Sequence, residues 1–172
     1  MKAIDSQLPS RAALYDVTSV EDADKNPIPP SAKDKEIFSR VKSMQRLTYE
    51  HIATLSNDRV TPDTYFVALI WLTVKAEGEE ELNKWFAAEH LPLLSKIPSY
   101  LIGRRYKLVS ERSIGEEIEP AAKFLGVYEF TDSDFASTPE GYAANNTPWW
   151  TELQKNVVTS QKFRTFKVES LR

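Results

Sequence analysis

Apolar and polar positions change period several times along the chain. DTYFVALIWLTVK (63–75) is a continuous, β-rich apolar run after Pro62, and predicts a strand buried on both faces. GEEELNKWFAAEHLPLLSKI (78–97) switches to helical spacing, with Leu82, Trp85, Phe86 and Leu93 on or near one stripe. Its acidic first turn suits the helix dipole, and Pro92 and Pro98 are expected to break or bend its end. SYLIGRRYKLVSE (99–111) and KFLGVYEF (123–130) predict two more strands, separated by the polar loop SIGEEIEPA. TPWWTELQKNVVTS (147–160) predicts a helix with a threonine cap and a proline in its first turn. QKFRTFKVESL (161–171) alternates and predicts the closing strand.

The order from 63 to 171 is β-α-β-β-α-β, the ferredoxin-like arrangement of the α+β class. It predicts a four-stranded antiparallel sheet with both helices on one face. The other face then needs a cover. The first third repeats part of this module. AALYDVTSVEDA (12–23) resembles LGVYEFTDSDFA (125–136), with Tyr15 against Tyr128 and Thr18 against Thr131. SAKDKEIFSRVKSMQRLTYEHI (31–52) runs parallel to TPWWTELQKNVVTSQKFRTFKV (147–168), with Ser31 at the place of the cap Thr147. The expected organisation is therefore a strand-helix-strand half module over 1–60 and a complete module over 61–172, joined in one unit. A half module leaves open sheet edges, which predicts pairing with a second chain as a homodimer.

Composition narrows the function. The 172 residues carry a net charge of −3 and no basic stripe, so no nucleic-acid partner is expected. Cysteine is absent, which excludes disulfides and thiolate chemistry. MKAIDSQLPSR has no apolar signal region, and YFVALIWLTV (65–74) is about half a membrane span, so a cytoplasmic protein without a membrane partner is expected. Two histidines, His51 and His90, with scattered acids form no metal motif, and no phosphate-binding glycine pattern occurs.

WFAAEHLPLL (85–94), IPSY (97–100) and GRRY (103–106) together resemble the dimeric α/β-barrel superfamily, and within it the EthD-like branch. The resemblance covers about 63–170, with 12–52 as a partial repeat. Phe86 stands where tyrosine is usual and Ser99 where glycine is usual. The first difference removes a phenol that could have served as donor or acid. The resemblance implies two sheets facing each other across a dimer and a small apolar pocket between each sheet and its helices. It implies cofactor-free chemistry on planar aromatic or polyketide-type molecules: cyclisation, decarboxylation or substrate-activated oxygenation. Some members have no known activity, so a non-catalytic binding or assembly protein is the rival. The two differ in one expectation: an enzyme has an enclosed cavity reaching His90, whereas a relic has that volume filled by Phe86 or Trp85.

The resemblance makes His90 the candidate proton-transfer residue. At a helix C-terminus its cation would be favoured and it would titrate near neutral pH. Arg104 and Arg105 alternate on a strand, so one of them is expected to face the pocket or the dimer seam. Arg104 is placed in the catalytic set with His90 and Tyr106, where it could hold a carboxylate or phenolate bidentately. Tyr106, Tyr128 or Tyr65 could donate to an enolate oxygen. Trp85, Phe86, Phe66, Tyr128, Phe124 and Trp71 are expected to wall the pocket for a planar ring. His51 matches Lys167 in the repeat and is expected to be solvated, and Glu89 is expected to face solvent.

Overall fold

The computed structural model describes residues 1–5, 12–21, 31–32, 35–36, 39–40, 43–115 and 118–169. The strands are β1 (Lys2–Ala3), β2 (Met44–Ser56), β3 (Thr64–Val74), β4 (Tyr100–Ile114), β5 (Phe124–Phe130) and β6 (Val158–Glu169). The helices are α1 (Glu79–Trp85), α2 (Leu91–Leu94), α3 (Pro139–Asn145) and α4 (Pro148–Asn156). One antiparallel sheet holds the strands in the order β1-β6-β3-β5-β4-β2. Its central four strands, β6-β3-β5-β4, are the predicted ferredoxin-like module.

The helices lie on one face. Leu82, Trp85, Phe86, Leu91, Leu94, Ala144, Trp150 and Leu153 pack with Ala68, Leu72, Phe124 and Tyr128 in a single core. The opposite face carries a smaller cluster of Val67, Leu69, Leu125, Val127 and Phe166. Met1, Ala3 and Ala12 of the N-terminal segment pack against it. On this face Arg164 clamps the Asp5 carboxylate, Nε to Oδ2 at 3.2 Å and Nη2 to Oδ1 at 2.7 Å.

Three expectations change. Residues 12–19 form no strand, and Tyr15 is 85% exposed where its sequence match Tyr128 is 1% exposed. The partner edge that such a strand would need is taken by Lys2 and Ala3 on β6. The helix expected over the start of 31–52 lies largely outside the described residues. Its closing strand is present as β2, paired along β4 within the same chain.

Pro92 does not end the first helix. Phe86–His90 is a π-helical turn between α1 and α2, in which the Leu91 N–H reaches the Phe86 carbonyl. A wider turn relieves the ladder at the proline, which has no N–H to donate, so the helix continues to Leu94. His90 is thus inside a helix, not at its end.

Helix α3 is the third change, since no helix is predicted between 131 and 146. Thr138 caps it by accepting the Gly141 N–H, with Pro139 at the first position. This is the same Thr-Pro start that opens α4 at Thr147-Pro148. Among the described residues no helix is long and apolar enough to cross a membrane.

Candidate functional site

The π turn aims His90 into the core between the helices and the sheet. The side chain is 3% exposed. Its ring stacks on Trp85 with centroids 4.3 Å apart, and Trp85 stacks in turn on Trp150 at 4.5 Å. Phe86 and Tyr128 present ring edges to it at 5.1 and 6.1 Å. The Trp85 indole is fixed by Glu89, which accepts from its Nε1 at 2.9 Å and from the Thr147 hydroxyl. Glu89 thus holds the Trp85 ring in place, and is not the solvated acid expected from its place on the helix.

His90 Nδ1 lies 3.3 Å from the Ala144 carbonyl oxygen. A carbonyl only accepts, so Nδ1 carries the hydrogen and Nε2 keeps its lone pair in the neutral ring. Burial pushes the pKa of His90 down to about 4, the Ala144 bond opposes the shift, and the Arg105 charge adds to it. A histidine titrating near neutrality is thus corrected to one that stays neutral, because neither a helix end nor water supports its cation.

A small cavity lies beside this ring, lined by Ile70, Leu72, Trp85, Phe86, His90, Asn145, Trp150 and Gln161. Its free volume is about 10 Å³, about what one water needs and too little for an aromatic ring. Trp85 and Phe86 are two of its walls.

The arginine of this face is Arg105, and Arg104 is on the other side. A register shift in β4 between Tyr100 and Ile102 sets that parity. Arg105 is 3% exposed, with its guanidinium between Phe86 at 4.1 Å and Phe124 at 4.7 Å. Nη1 donates to Asn83 Oδ1 at 2.6 Å, while Nε and Nη2 are buried without a hydrogen-bond partner. Burial lowers its pKa to about 10. The Tyr128 hydroxyl is also buried without a partner, and burial holds its pKa far above the usual phenol.

Of the predicted set, His90, Trp85, Phe86, Tyr128 and Phe124 meet on the helix face. Phe66 shares that face but stands beside Phe130 and Lys167, away from the cavity. Arg104, Tyr106 and Trp71 are on the opposite face. Arg104 pairs with Glu129 at 2.6 Å, and Tyr106 and Trp71 pack on the Val67–Phe166 cluster. They do not reach His90, because strand alternation turns them away. His51 is exposed, bonds the Thr54 hydroxyl at 2.7 Å and meets the Tyr106 ring edge-on. Asn83 and Ala144 are contacts that the sequence reading missed, while Arg105 was one of its two candidates for the pocket. The Thr-Pro start of α3 was the available signal for Ala144. Among the described residues no group of three or more His, Asp or Glu could hold a metal ion.

No family model and no curated protein matches the sequence. The fold is similar to that of an anthrone oxidase-like protein, with TM-score 0.53 and 16% identity over 88% of this chain and 64% of that one. An EthD family protein from Bacillus halodurans is 18% identical over 57% of this chain and 95% of its own, with TM-score 0.40. A DABB family protein with a ferredoxin-like fold from Mesorhizobium loti is 18% identical over 63% and 99%, with TM-score 0.42. The chain spans 51% of a similar structure from Fusobacterium nucleatum. The likeness to the anthrone oxidase-like protein and the strand order together make this chain a ferredoxin-like α+β protein.

Proposed function

We propose that the chain is a cofactor-free, homodimeric enzyme acting on a planar aromatic or polyketide-type molecule, decarboxylating it or closing a ring, with His90 as general acid/base. The observation that carries this reading is the fixed tautomer of His90 inside an aromatic cage. With Nδ1–H held by Ala144, Nε2 is a free base at neutral pH. A base of such low pKa is weak in the empty protein. An anionic ligand beside the ring would raise it towards the ordinary imidazole value, so that the base strengthens as the complex forms. The base removes a proton next to a carbonyl in cyclisation, and its protonated form returns one to the carbanion in decarboxylation. Removal of a phenol proton would equally begin a substrate-activated oxygenation. The anthrone oxidase-like protein of similar fold supports that as the alternative chemistry.

A second reading rests on the cavity. Only about 10 Å³ is free beside His90, which favours a non-catalytic binding or assembly protein whose pocket is filled by Trp85 and Phe86. The test is incubation with a panel of aromatic polyketide acids and poly-ketones, wild type against His90→Ala, with products followed by mass spectrometry. Loss of carbon dioxide or water that disappears in the variant is the expected result. Gain of oxygen would shift the reading to oxygenation. Absence of turnover across the panel would leave the non-catalytic protein.

A further inference from the structure

Arg164 and Arg105 present the same guanidinium edge in two different settings. Arg164 uses Nε and Nη2, the two parallel donors along one edge of the guanidinium, to hold the Asp5 carboxylate. Arg105, on the other face, has the same two donors buried and unpartnered. A buried cation that lacks partners for two of its donors is costly to keep, since each lost bond leaves a desolvated polar group. Both faces of its guanidinium are covered by Phe86 and Phe124, and one nitrogen is fixed by Asn83. Only the Nε–Nη2 edge is left without a role.

The surroundings of that edge are ordered by the sheet. Ile70, Gly126 and Arg105 stand opposite one another on β3, β5 and β4. Gly126 has no side chain, and the Tyr128 phenol fills the space above it: a Cβ there would lie 2.7 Å from the phenol oxygen. The unpartnered phenol is therefore between Ile70, which lines the cavity, and Arg105. Phe86 is both a wall of the cavity and the ring over the guanidinium. Rotation of this one side chain, in the first residue of the π turn, would extend the cavity towards the guanidinium.

We infer that Arg105 and Tyr128 form a binding site for the carboxylate of a flat aromatic acid, with Nε and Nη2 taking its two oxygens and the phenol donating a third bond. The aromatic body would lie where Phe86 and Trp85 now fill the cavity beside His90. This rests on the small-molecule reading of the same cavity but not on any turnover there. The Arg105 charge already acts on both Tyr128 and His90, so a bound carboxylate would be felt at the base.

The test uses the full chain and two probes of one shape, 2-naphthoic acid and its neutral amide, titrated by calorimetry and by tryptophan fluorescence. The wild type is expected to bind the acid about tenfold or more tightly than the amide. Arg105→Met is expected to bring that ratio to about one with amide binding kept, and Arg105→Lys to give an intermediate ratio, since lysine keeps the charge and loses the fork. Arg104→Met, on the other face, should keep the wild-type ratio. A wild type that binds neither probe, or both equally, would overturn the site, as would an Arg105→Met variant that still prefers the acid. Arg105-dependent preference without any His90-dependent turnover would keep the site and remove the enzyme reading.

Discussion

The indole of Trp85 lies over the imidazole of His90 with centroids 4.3 Å apart and planes 24° from parallel. This stack, closed by Trp150 and held by Glu89, is the reason the histidine is dry. A dry imidazole gives a measurable pH dependence. Its folded pKa of about 4 is below the ordinary 6.5. The unfolded chain therefore binds the proton more readily, and stability present above pH 6.5 is lost as pH falls through 4. About 2 kcal/mol should go between about pH 7.5 and pH 5. His90→Phe keeps a ring in the stack and removes the titration. Urea denaturation across this range should fall for the wild type and change much less for the variant. Parallel profiles would sink the idea that His90 is held neutral.

Arg104 and Arg105 should respond oppositely to the same substitution. Arg104 bonds Glu129, whose side chain is 12% exposed. Arg104→Met leaves that carboxylate mostly buried and unpaired, and is expected to cost about 1–2 kcal/mol. Arg105→Met removes a buried cation with two unpartnered nitrogens and fills its place between two phenyl rings. It is expected to be neutral or to stabilise by about 1 kcal/mol. Equal losses in urea melts of the two variants would contradict this account of Arg105.

The module was legible because its periods are strong: β3 and β5 lie within a residue of the runs that predicted them, and the helix expected over 78–97 runs from Glu79 through the π turn to Leu94. The faces were not. In YFVALIWLTV nearly every position is apolar, so no alternation separates Trp71 from Leu72. In β4 the register shift near Leu101 reverses the parity that decides between Arg104 and Arg105, and a sequence does not print a shift. The π turn was hidden behind Pro92, which ordinarily signals an end. Ala144, the residue that fixes the tautomer of His90, offers only a backbone carbonyl, which any residue type would supply.

Gly126 tests the packing on which the site depends. Its missing side chain makes room for the Tyr128 ring, and a Cβ would meet Cε2 and the phenol oxygen, each at 2.7 Å. Tyr128 is 1% exposed, so it has no free space to retreat into. Gly126→Ala is expected to destabilise by about 1–3 kcal/mol through overpacking. The double variant Gly126→Ala with Tyr128→Phe, lacking the phenol oxygen, should recover part of the loss. A lowered melting temperature that the second change leaves unmoved would show that the strain lies elsewhere.

The sheet face away from the helices makes the last prediction. Val67, Leu69, Leu125, Val127 and Phe166 are buried there, while Tyr49, Tyr65, Trp71 and Tyr106 around them are only partly buried. Of the described N-terminal residues, Ala3 and Ala12 pack into this face, while Leu14 at 48% and Val17 at 52% are exposed. Aromatic rings half out of water beside exposed aliphatic side chains make a surface that a second copy of the chain would bury. The expected mass in sedimentation at micromolar concentration is that of a dimer. Tyr106→Lys places a charge on this surface, on the sheet face away from His90, and should shift the mass towards the monomer while leaving the far-ultraviolet spectrum unchanged. A wild-type protein that sediments as a monomer would mean that the N-terminal segment suffices as the cover, and the homodimer would be abandoned.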